Sequence, residues 1–462
     1  MAIDTSRDTG RGAQEAFDVR PLAAVCFGWF MVIVDATIVN VALPQLGREF
    51  SASVSGLQWV VDAYTVVFAG LLLSAGWLGD RLGAKRLLQG GLALFAGASV
   101  LCGFSADLPM LIAMRAVQGI GAALLVPASL SLLQSSYHDR RTRAIAIGFW
   151  GMVGGFASGC GPVLGGVLTT TLGWRWIFFL NIPVAVVGLI LGRRWVRDVR
   201  PDDRAGRFDT GGQLFGIAAL TAVTFGMVEA GRSGWTSVGA LSGFAVFVVS
   251  TAAFLSVEGR RAEPMLPLHV FRSRELSAAT AIGCLMNLGF YGQLFVITLF
   301  FQKARGDSAL ITGLALAPQT AVIALGSWLG GRANSRMGPR RPVVAGMAIG
   351  AVGFAAMAAL GGHRPYLVLV VPMMLAGLGI SVTMPAVTSA AVEGAPPGRS
   401  GLASGVLNAS RQVGGAIGIA LLGAFVARGS DFFAGFRPAM IVAGVAFVVG
   451  AAIGLLVPDP HD

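Results

Sequence analysis

Two opposite charges stand where charges are expensive. Asp35 lies inside an apolar run that starts near residue 22, and Arg115 lies inside another that starts near residue 110. An ionised carboxylate deep in a membrane-spanning helix costs several kcal/mol, roughly 3 on insertion scales. It must face a cavity, find a partner or take up a proton. Reversible protonation of a buried carboxyl group is the chemistry a proton carrier needs. Arg115 is the obvious partner. The first run ends near Pro44, nine residues beyond Asp35, and the other begins near Pro109, six residues before Arg115. At 1.5 Å per residue the two groups lie about 13 and 9 Å below the same surface, nearly level. Asp62, early in the intervening run, sits at a comparable depth. It is either a second proton-carrying acid or an interfacial group in reach of water. The alternative readings are a structural Asp35 bonded to neighbouring backbone and, for Arg115, a purely structural ion pair.

Other polar residues interrupt later runs. Arg411 falls near mid-membrane with no acidic neighbour in its own run, and Asn287, Tyr291, Gln293 and Gln319 add polarity nearby in the same part of the chain. With Asn40 and Gln118 they are expected to line a substrate cavity, interhelical hydrogen bonding being the alternative for the amides. Other chemistries find no support. Neither lysine, Lys85 or Lys303, follows a glycine, so no nucleotide-binding Gly-Lys-Ser/Thr loop exists and ATP is not an expected partner. The four histidines are scattered, and the four cysteines (Cys26, Cys102, Cys160, Cys284) lie in apolar runs without CxxC spacing, so no metal site is expected. No HExxH or GxSxG occurs; the GxSG at Gly398–Gly401 falls between apolar runs in a glycine-rich chain, where chance suffices. The expectation is a protein that is not an enzyme and uses no cofactor beyond protons as coupling ion.

The elements that must hold these charges follow from composition. Apolar residues make up 55% of the 462 and charged residues 12%, about half what a soluble domain carries. A bilayer core of about 30 Å requires about 20 residues of helix, and lipid offers no partner for backbone groups, so the spans must be helical. Spans are predicted near 22–43, 57–78, 87–105, 110–133, 144–168, 176–195, 210–230, 238–257, 276–301, 311–331, 342–360, 367–391, 402–427 and 438–457. That makes fourteen. The net charge of +11 does not signal nucleic acid, because the basic residues sit in short clusters between apolar runs. Lys and Arg concentrate in the N-terminal tail and in alternate loops, which places both termini in the cytoplasm. The polar residues 1–20 show no cleavable signal.

An internal repeat organises the spans. GWLGDRLGAKR, Gly76 to Arg86, follows span 2, and GRANSRMGPRR, Gly331 to Arg341, follows span 10. Span 4 carries Gly119, Gly121 and Pro127; span 12 carries Gly377, Gly379 and Pro385 at identical spacing and nearly the same offset. Two matches in order imply a duplicated six-helix unit with an insert. The expected organisation is a tail at 1–20, a first six-helix half at 21–196, a linker with two inserted spans at 197–258, a second half at 259–457 and a tail at 458–462.

These residues resemble the major facilitator superfamily, and among its members the 14-span drug:proton antiporters, over nearly the whole chain. Asp35-Ala-Thr37-Ile-Val-Asn40-Val-Ala-Leu-Pro44 is similar to the family's signature in span 1. Gly76, Asp80, Arg81, Gly83 and Lys85 resemble its first inner-loop motif, with Ala84 where a basic residue is usual. Arg115, Gln118, Gly119 and Gly121 resemble its span 4 motif. Gly148, Gly161, Pro162, Gly165 and Gly166 resemble its antiporter motif in span 5, with Ala157 where glycine is usual. GWRWIFFLNIP, Gly173 to Pro183, and NASRQVGGAIG, Asn408 to Gly418, are also similar to 14-span members. The resemblance implies an all-α integral membrane protein of the major facilitator fold in the cell membrane, surrounded by lipid and functional as a monomer. It implies export of small hydrophobic, often cationic, drugs or antibiotics in exchange for protons. Asp35, Arg115 and Asp62 would couple protons, Asp80 and Arg81 would form a latch in a tight inner loop, and span 5 would kink as a seal against leak. A lipid or small-solute transporter of the same fold, a flippase or proton symporter, is the alternative; a receptor or scaffold would not need charges at Asp35 and Arg115.

Overall fold

In a computed structural model the described residues are 18–137, 139–197, 208–261, 264–360, 365–395, 400–427 and 432–458. They form fourteen helical spans long and apolar enough to cross a bilayer. The helices are α1 (Val19–Glu49), α2 (Val54–Leu82), α3 (Ala84–Gly103), α4 (Leu108–Ser136), α5 (Arg140–Thr171), α6 (Arg175–Phe179), α7 (Asn181–Trp195), α8 (Thr210–Ser233), α9 (Val238–Arg260), α10 (Arg274–Leu299), α11 (Ala309–Met337), α12 (Arg340–Leu360), α13 (Tyr366–Glu393), α14 (Ser400–Ala427) and α15 (Phe432–Gly454). The sixth span is divided into α6 and α7 at Leu180, and α10 continues through a wide turn over Phe300–Ala304.

Side-chain oxygens fix where many helices start. Asp18, Ser53, Asp107, Asp139, Asp209, Ser237, Ser273 and Ser308 each accept a bond from a backbone N–H in the first turn of the helix that follows. Prolines do not end helices here. Pro44, predicted to close span 1, lies inside α1, which continues to Glu49. Pro127, Pro162, Pro318, Pro372, Pro385 and Pro438 are likewise interior. Proline is tolerated inside a membrane helix because neighbouring helices and local adjustments can satisfy the freed backbone groups.

Helices α1 to α7 pack as one bundle and α10 to α15 as another, with α8 and α9 paired with each other beside them. The repeat has a structural cause. Gly83, between α2 and α3, has φ +92°, and Gly338, at the matching position between α11 and α12, has φ +73°. A side chain is disfavoured in that conformation, so glycine is required at both turns. The predicted loop at Gly76–Arg86 is therefore mostly helix. Gly76, Asp80 and Arg81 belong to α2 and Lys85 to α3, leaving Gly83 alone as the hinge. The second repeat also survives as packing. A Cβ on Gly119 would stand 2.5 Å from the Tyr64 carbonyl of α2, and one on Gly377 would stand 2.9 Å from the Gln319 carbonyl of α11. Each glycine seats its helix against the corresponding neighbour.

The outer surface carries apolar side chains. On α9, Leu241, Val246, Val248, Val249 and Leu255 are exposed, as are Ile441, Val445 and Val448 on α15. An apolar belt of this kind is the surface a lipid-facing helix presents.

The two faces differ. At the face opposite the described chain ends, α5 meets α11 so closely that a Cβ on Gly166 would stand 2.8 Å from the Ala309 carbonyl, and one on Gly313 would collide with the Pro162 carbonyl. Gln302 donates to Val41 O at 2.8 Å, and Gln58 donates to Ala420 O at 2.9 Å and Ile419 O at 3.1 Å. These contacts join the bundles on that side. Gly313→Val should wedge α5 from α11. Spin labels placed on the α5 and α11 ends at this face should then show a longer separation by electron double resonance; an unchanged distance distribution would contradict this account of the closure.

Candidate functional site

The two predicted charges meet. Arg115 of α4 and Asp35 of α1 form an ion pair, and both side chains are wholly buried. Six elements of polar structure surround it. Arg115 Nε donates to the Val60 carbonyl of α2 at 3.1 Å, and its Nη1 also reaches Gln118 Oε1 at 2.8 Å. Gln118 Nε2 donates to Asp35 Oδ1 at 3.0 Å and to Ser99 Oγ of α3 at 2.6 Å. Asn181 Nδ2, at the start of α7, donates to Asp35 Oδ1 and to Ser99 Oγ, both at 2.9 Å. Cys102 Sγ lies 3.6 Å from Gln118 Oε1. The Arg115 guanidinium lies over the Tyr64 ring, 4.4 Å from its centroid, a favourable cation–π geometry.

Every partner of Asp35 named here is a donor: a guanidinium and two amides. A carboxylate accepts such bonds at both oxygens. Helices α1, α2, α3, α4 and α7 are therefore tied at one point. Sequence reasoning missed Asn181 and Ser99, and it placed Gln118 in the substrate cavity. Gln118 instead belongs to the ion-pair network and lines neither cavity described below. The signal available was that a buried carboxylate has more acceptor sites than one arginine fills.

Asp62 of α2 is fully buried and joins neither Asp35 nor Arg115. Neither of its oxygens has a hydrogen-bond partner among the described residues. The reading of Asp62 as a group reaching outer water does not hold in this conformation, because the side chain is shut in.

Two hollows lie between the bundles. A cavity of about 590 Å³ occupies the half nearer the chain ends, lined by Leu73, Ser74 and Trp77 of α2, Pro127 and Gln134 of α4, Ser404 and Asn408 of α14, and Asp209 and Met265 at the base of the insert. A narrow cleft deeper in is lined by Ile33, Ala36, Tyr64, Tyr291 and Gln412. Of the seven residues expected in a cavity, Tyr291 lines the cleft and Arg411 stands beside Asn408. The others do not line either hollow. Asn40 donates to carbonyls of its own helix, Ala36 and Thr37. Gln293 of α10 and Gln319 of α11 bond each other reciprocally, at 3.0 and 3.4 Å, with both side chains buried. Asn287 is buried with its Oδ1 unpartnered. Amides in a dry bundle satisfy one another before they satisfy a cavity.

Gly161 and Gly165 pack α5 onto Thr37 and Ile38 of α1, and Gly166 packs it onto α11. The helix continues unbroken through Pro162. Gly148 is exposed with open space where a side chain would go, so it stands apart from the other members of the motif. Near the turn at Gly83, Lys85 Nζ donates to the Arg193 carbonyl at 3.1 Å and Arg81 lies 5.3 Å from the centre of the Trp77 ring. The Asp80 side chain, half of the expected latch, lies outside the described part of the structure.

The base of the insert holds an acidic group that the sequence did not single out. Asp209 accepts from Gly212 N at 2.8 Å and pairs with Arg261 at 3.0 Å, and Glu258 accepts from Leu266 N at 3.1 Å.

The sequence profile of the Major Facilitator Superfamily matches residues 25–419 and again 284–462. The chain is 35% identical to the methylenomycin A resistance protein of Bacillus subtilis, over 96% of this chain and 94% of that one. It is 36% identical to the multidrug resistance protein Stp of Mycobacterium tuberculosis, over 88% of this chain and 75% of that one. Among solved structures, the human organic anion transporter MFSD10 superposes with a TM-score of 0.65 at 14% identity, over 94% of this chain and 99% of that one. At that identity the likeness is one of fold.

The Asp35 network predicts an asymmetry. Asp35→Leu strands a guanidinium that cannot shed its charge, whereas Arg115→Met leaves Asp35 with two amide donors. Asp35→Leu should therefore destabilise the protein more, by about 3–5 kcal/mol against a smaller loss for Arg115→Met. Thermal unfolding of the purified variants in detergent checks this, and an equal or larger loss for Arg115→Met would contradict it.

Proposed function

This chain belongs to the major facilitator superfamily, and from that premise we propose that it exports small apolar drugs or antibiotics from the cell in exchange for protons. The fold and the relatives make it a multi-pass membrane transporter. Two relatives named for drug resistance, each matched over most of its length, support a drug as cargo. The observation that carries the proton part is the buried Asp35–Arg115 pair. The concentration of Lys and Arg on one side supports cytoplasmic termini. The cavity then opens toward the cytoplasm, and the joined face lies outside.

The proposed cycle uses the difference between those faces. The two bundles rock about the hollows between them, the first of residues 21–196 and the second of 259–457, with residues 197–258 inserted between. In the outward state a proton neutralises Asp35 and separates it from Arg115. In the inward state the proton leaves and the pair reforms, as seen here. A proton can drive the cycle only through its different affinity for the two states. Pairing with Arg115 in one state alone supplies such a difference. Each unit charge carried inward gains roughly 2.3 kcal/mol per 100 mV. Asp62 is proposed as a second proton-carrying group, and Arg81, Lys85 and Asp80 as the inner latch about Gly83. The chain works as a monomer within lipid, without enzyme activity, ATP, nucleic acid, metal or cofactor.

Reconstituted into liposomes, the protein should move drug against a pH gradient of one sign, and Asp35→Asn should lose at least about 90% of that gradient-driven transport, like other losses of an essential proton carrier. Undiminished transport by a correctly inserted Asp35→Asn protein would refute the proton role. Drug moving with protons in the same direction would establish symport instead.

A further inference from the structure

Among the described residues, Arg411 is a cation inside the second bundle with no carboxylate paired to it. Arg411 lies on α14, eleven residues from its start at Ser400. Its Nη1 reaches Asn408 Oδ1 at 3.4 Å and its Nη2 reaches Met384 Sδ at 3.5 Å. Both are long, weak contacts with neutral groups. Its Nε is buried with no partner. Its stem packs on Gly283 of α10, where a Cβ would stand 3.1 Å from Arg411 Cγ. The position is built: the backbone of α10 gives way to the arginine, and Asn408 is oriented by donating its own amide to Ser404 O at 3.0 Å.

Arg411 is half-buried, and the contrast with the wholly buried charges decides what this means. Arg115 has Asp35. An aspartate without a partner, such as Asp62, can become neutral by taking a proton. A guanidinium has no such exit, because it keeps its proton at every accessible pH. A desolvated cation without a counter-ion is costly, and it is retained where an anion arrives to pair with it. Arg411 lies between two residues of α14 that line the hollows, although it lines neither itself. Asn408, one turn below, lines the large cavity, and Gln412, the next residue, lines the narrow cleft between the bundles. The acid in the wall of the cavity, Asp209, is already engaged by Arg261 and by the backbone N–H groups of Gly212 and Met265. Among the described residues, the charge left beside the hollows without an ionic partner is that of Arg411.

We infer that Arg411 receives an acidic group of the cargo, and that this transporter selects amphiphilic anions, an apolar body bearing one carboxylate, over cations of the same shape. This rests on the proposed export function and names its substrate class. The carboxylate takes the fork of Nε and Nη in a bidentate pair, while the apolar body occupies the cavity walls formed by Leu73, Trp77 and Pro127. Asn408 holds the guanidinium until the cargo arrives.

Three probes with one aromatic body separate the possibilities: 1-pyrenebutanoate, 1-pyrenebutanol and 4-(1-pyrenyl)butyltrimethylammonium. Their binding to the purified full-length protein in nanodiscs is read by energy transfer from tryptophan to pyrene. The wild type should bind the anion most tightly and the cation most weakly. Arg411→Gln should weaken the anion by at least about tenfold, as loss of a desolvated charge partner does, and leave the neutral alcohol within about twofold. Arg411→Lys, which keeps the charge, should preserve the order. If Arg411→Gln does not insert, the wild-type order and its retention in Arg411→Lys still decide. A wild type that binds the cation as well as the anion overturns the inference. So does an anion-to-alcohol ratio unchanged in Arg411→Gln, or an equal loss of all three probes in both variants. Anion binding without transport under an imposed pH gradient would sink the proton-exchange reading and leave this one standing.

Discussion

A charge enclosed by apolar helices has no water to answer it, and the first bundle is arranged around that fact. The Asp35–Arg115 pair is answered by Gln118, Asn181, Ser99 and the Val60 carbonyl, so that five helices contribute to one buried site. In a soluble core such a pair is often replaceable by apolar residues at no loss. In lipid the helices have little hydrophobic drive to associate, and close packing and hydrogen bonds hold them together instead. A single ionic knot then has two effects. It fixes the register of α1 against α4, and it makes that register depend on whether one carboxylate is charged.

The faces of the molecule are built from different materials. On the joined side, glycine brings α5 against α11 at backbone distance, and glutamine side chains cross between bundles to carbonyls of the other. On the other side the helix ends stand apart around a cavity. Carbonyl-directed amide bonds and glycine contacts are individually weak, and they can be exchanged for lipid-free contacts elsewhere at small net cost. In the proposed cycle such a seal opens at small cost, and proton uptake by Asp35 releases its pair with Arg115 inside the first bundle.

What the sequence disclosed depended on whether a residue's burden could be read one helix at a time. Hydropathy gave the fourteen spans, since each needs only its own length of apolar residues. The pairing of Asp35 with Arg115 was legible because each is a rare charge within an apolar run, although the depth count took Pro44 as the end of a helix that continues to Glu49. The amides stayed open between a cavity and interhelical bonding because an amide's partner lies on another helix at a rotation no periodicity reveals: Gln293 bonds Gln319, and Gln118 bonds Asp35. Pro44 and the Gly76–Arg86 segment misled for a related reason. Proline and glycine break helices in water, but in lipid the cost of an unpaired backbone keeps the helix going past them until Gly83 turns the chain. The acids at the base of the insert left no trace, because Asp209 and Glu258 are far apart in sequence and lie near span ends, where acids are ordinary.

The inserted pair of helices attaches unequally to the two bundles. Gln213 of α8 donates to the Gly70 carbonyl of α2 at 2.8 Å and meets the Ser74 hydroxyl of the same helix. Toward α14, α8 offers small apolar contacts, with Gly231 against Ala424. Polar bonds inside lipid hold position because nothing replaces them when broken, whereas smooth apolar surfaces slide at little cost. α8 is thus pinned to the first bundle by polar bonds and packed on the second through apolar side chains, Leu220 and Val223 against Ala416. α2 and α14 also meet directly through Gln58 at the joined face. In the proposed cycle the insert then stays with the helix that carries Gly83 while the second bundle moves past it.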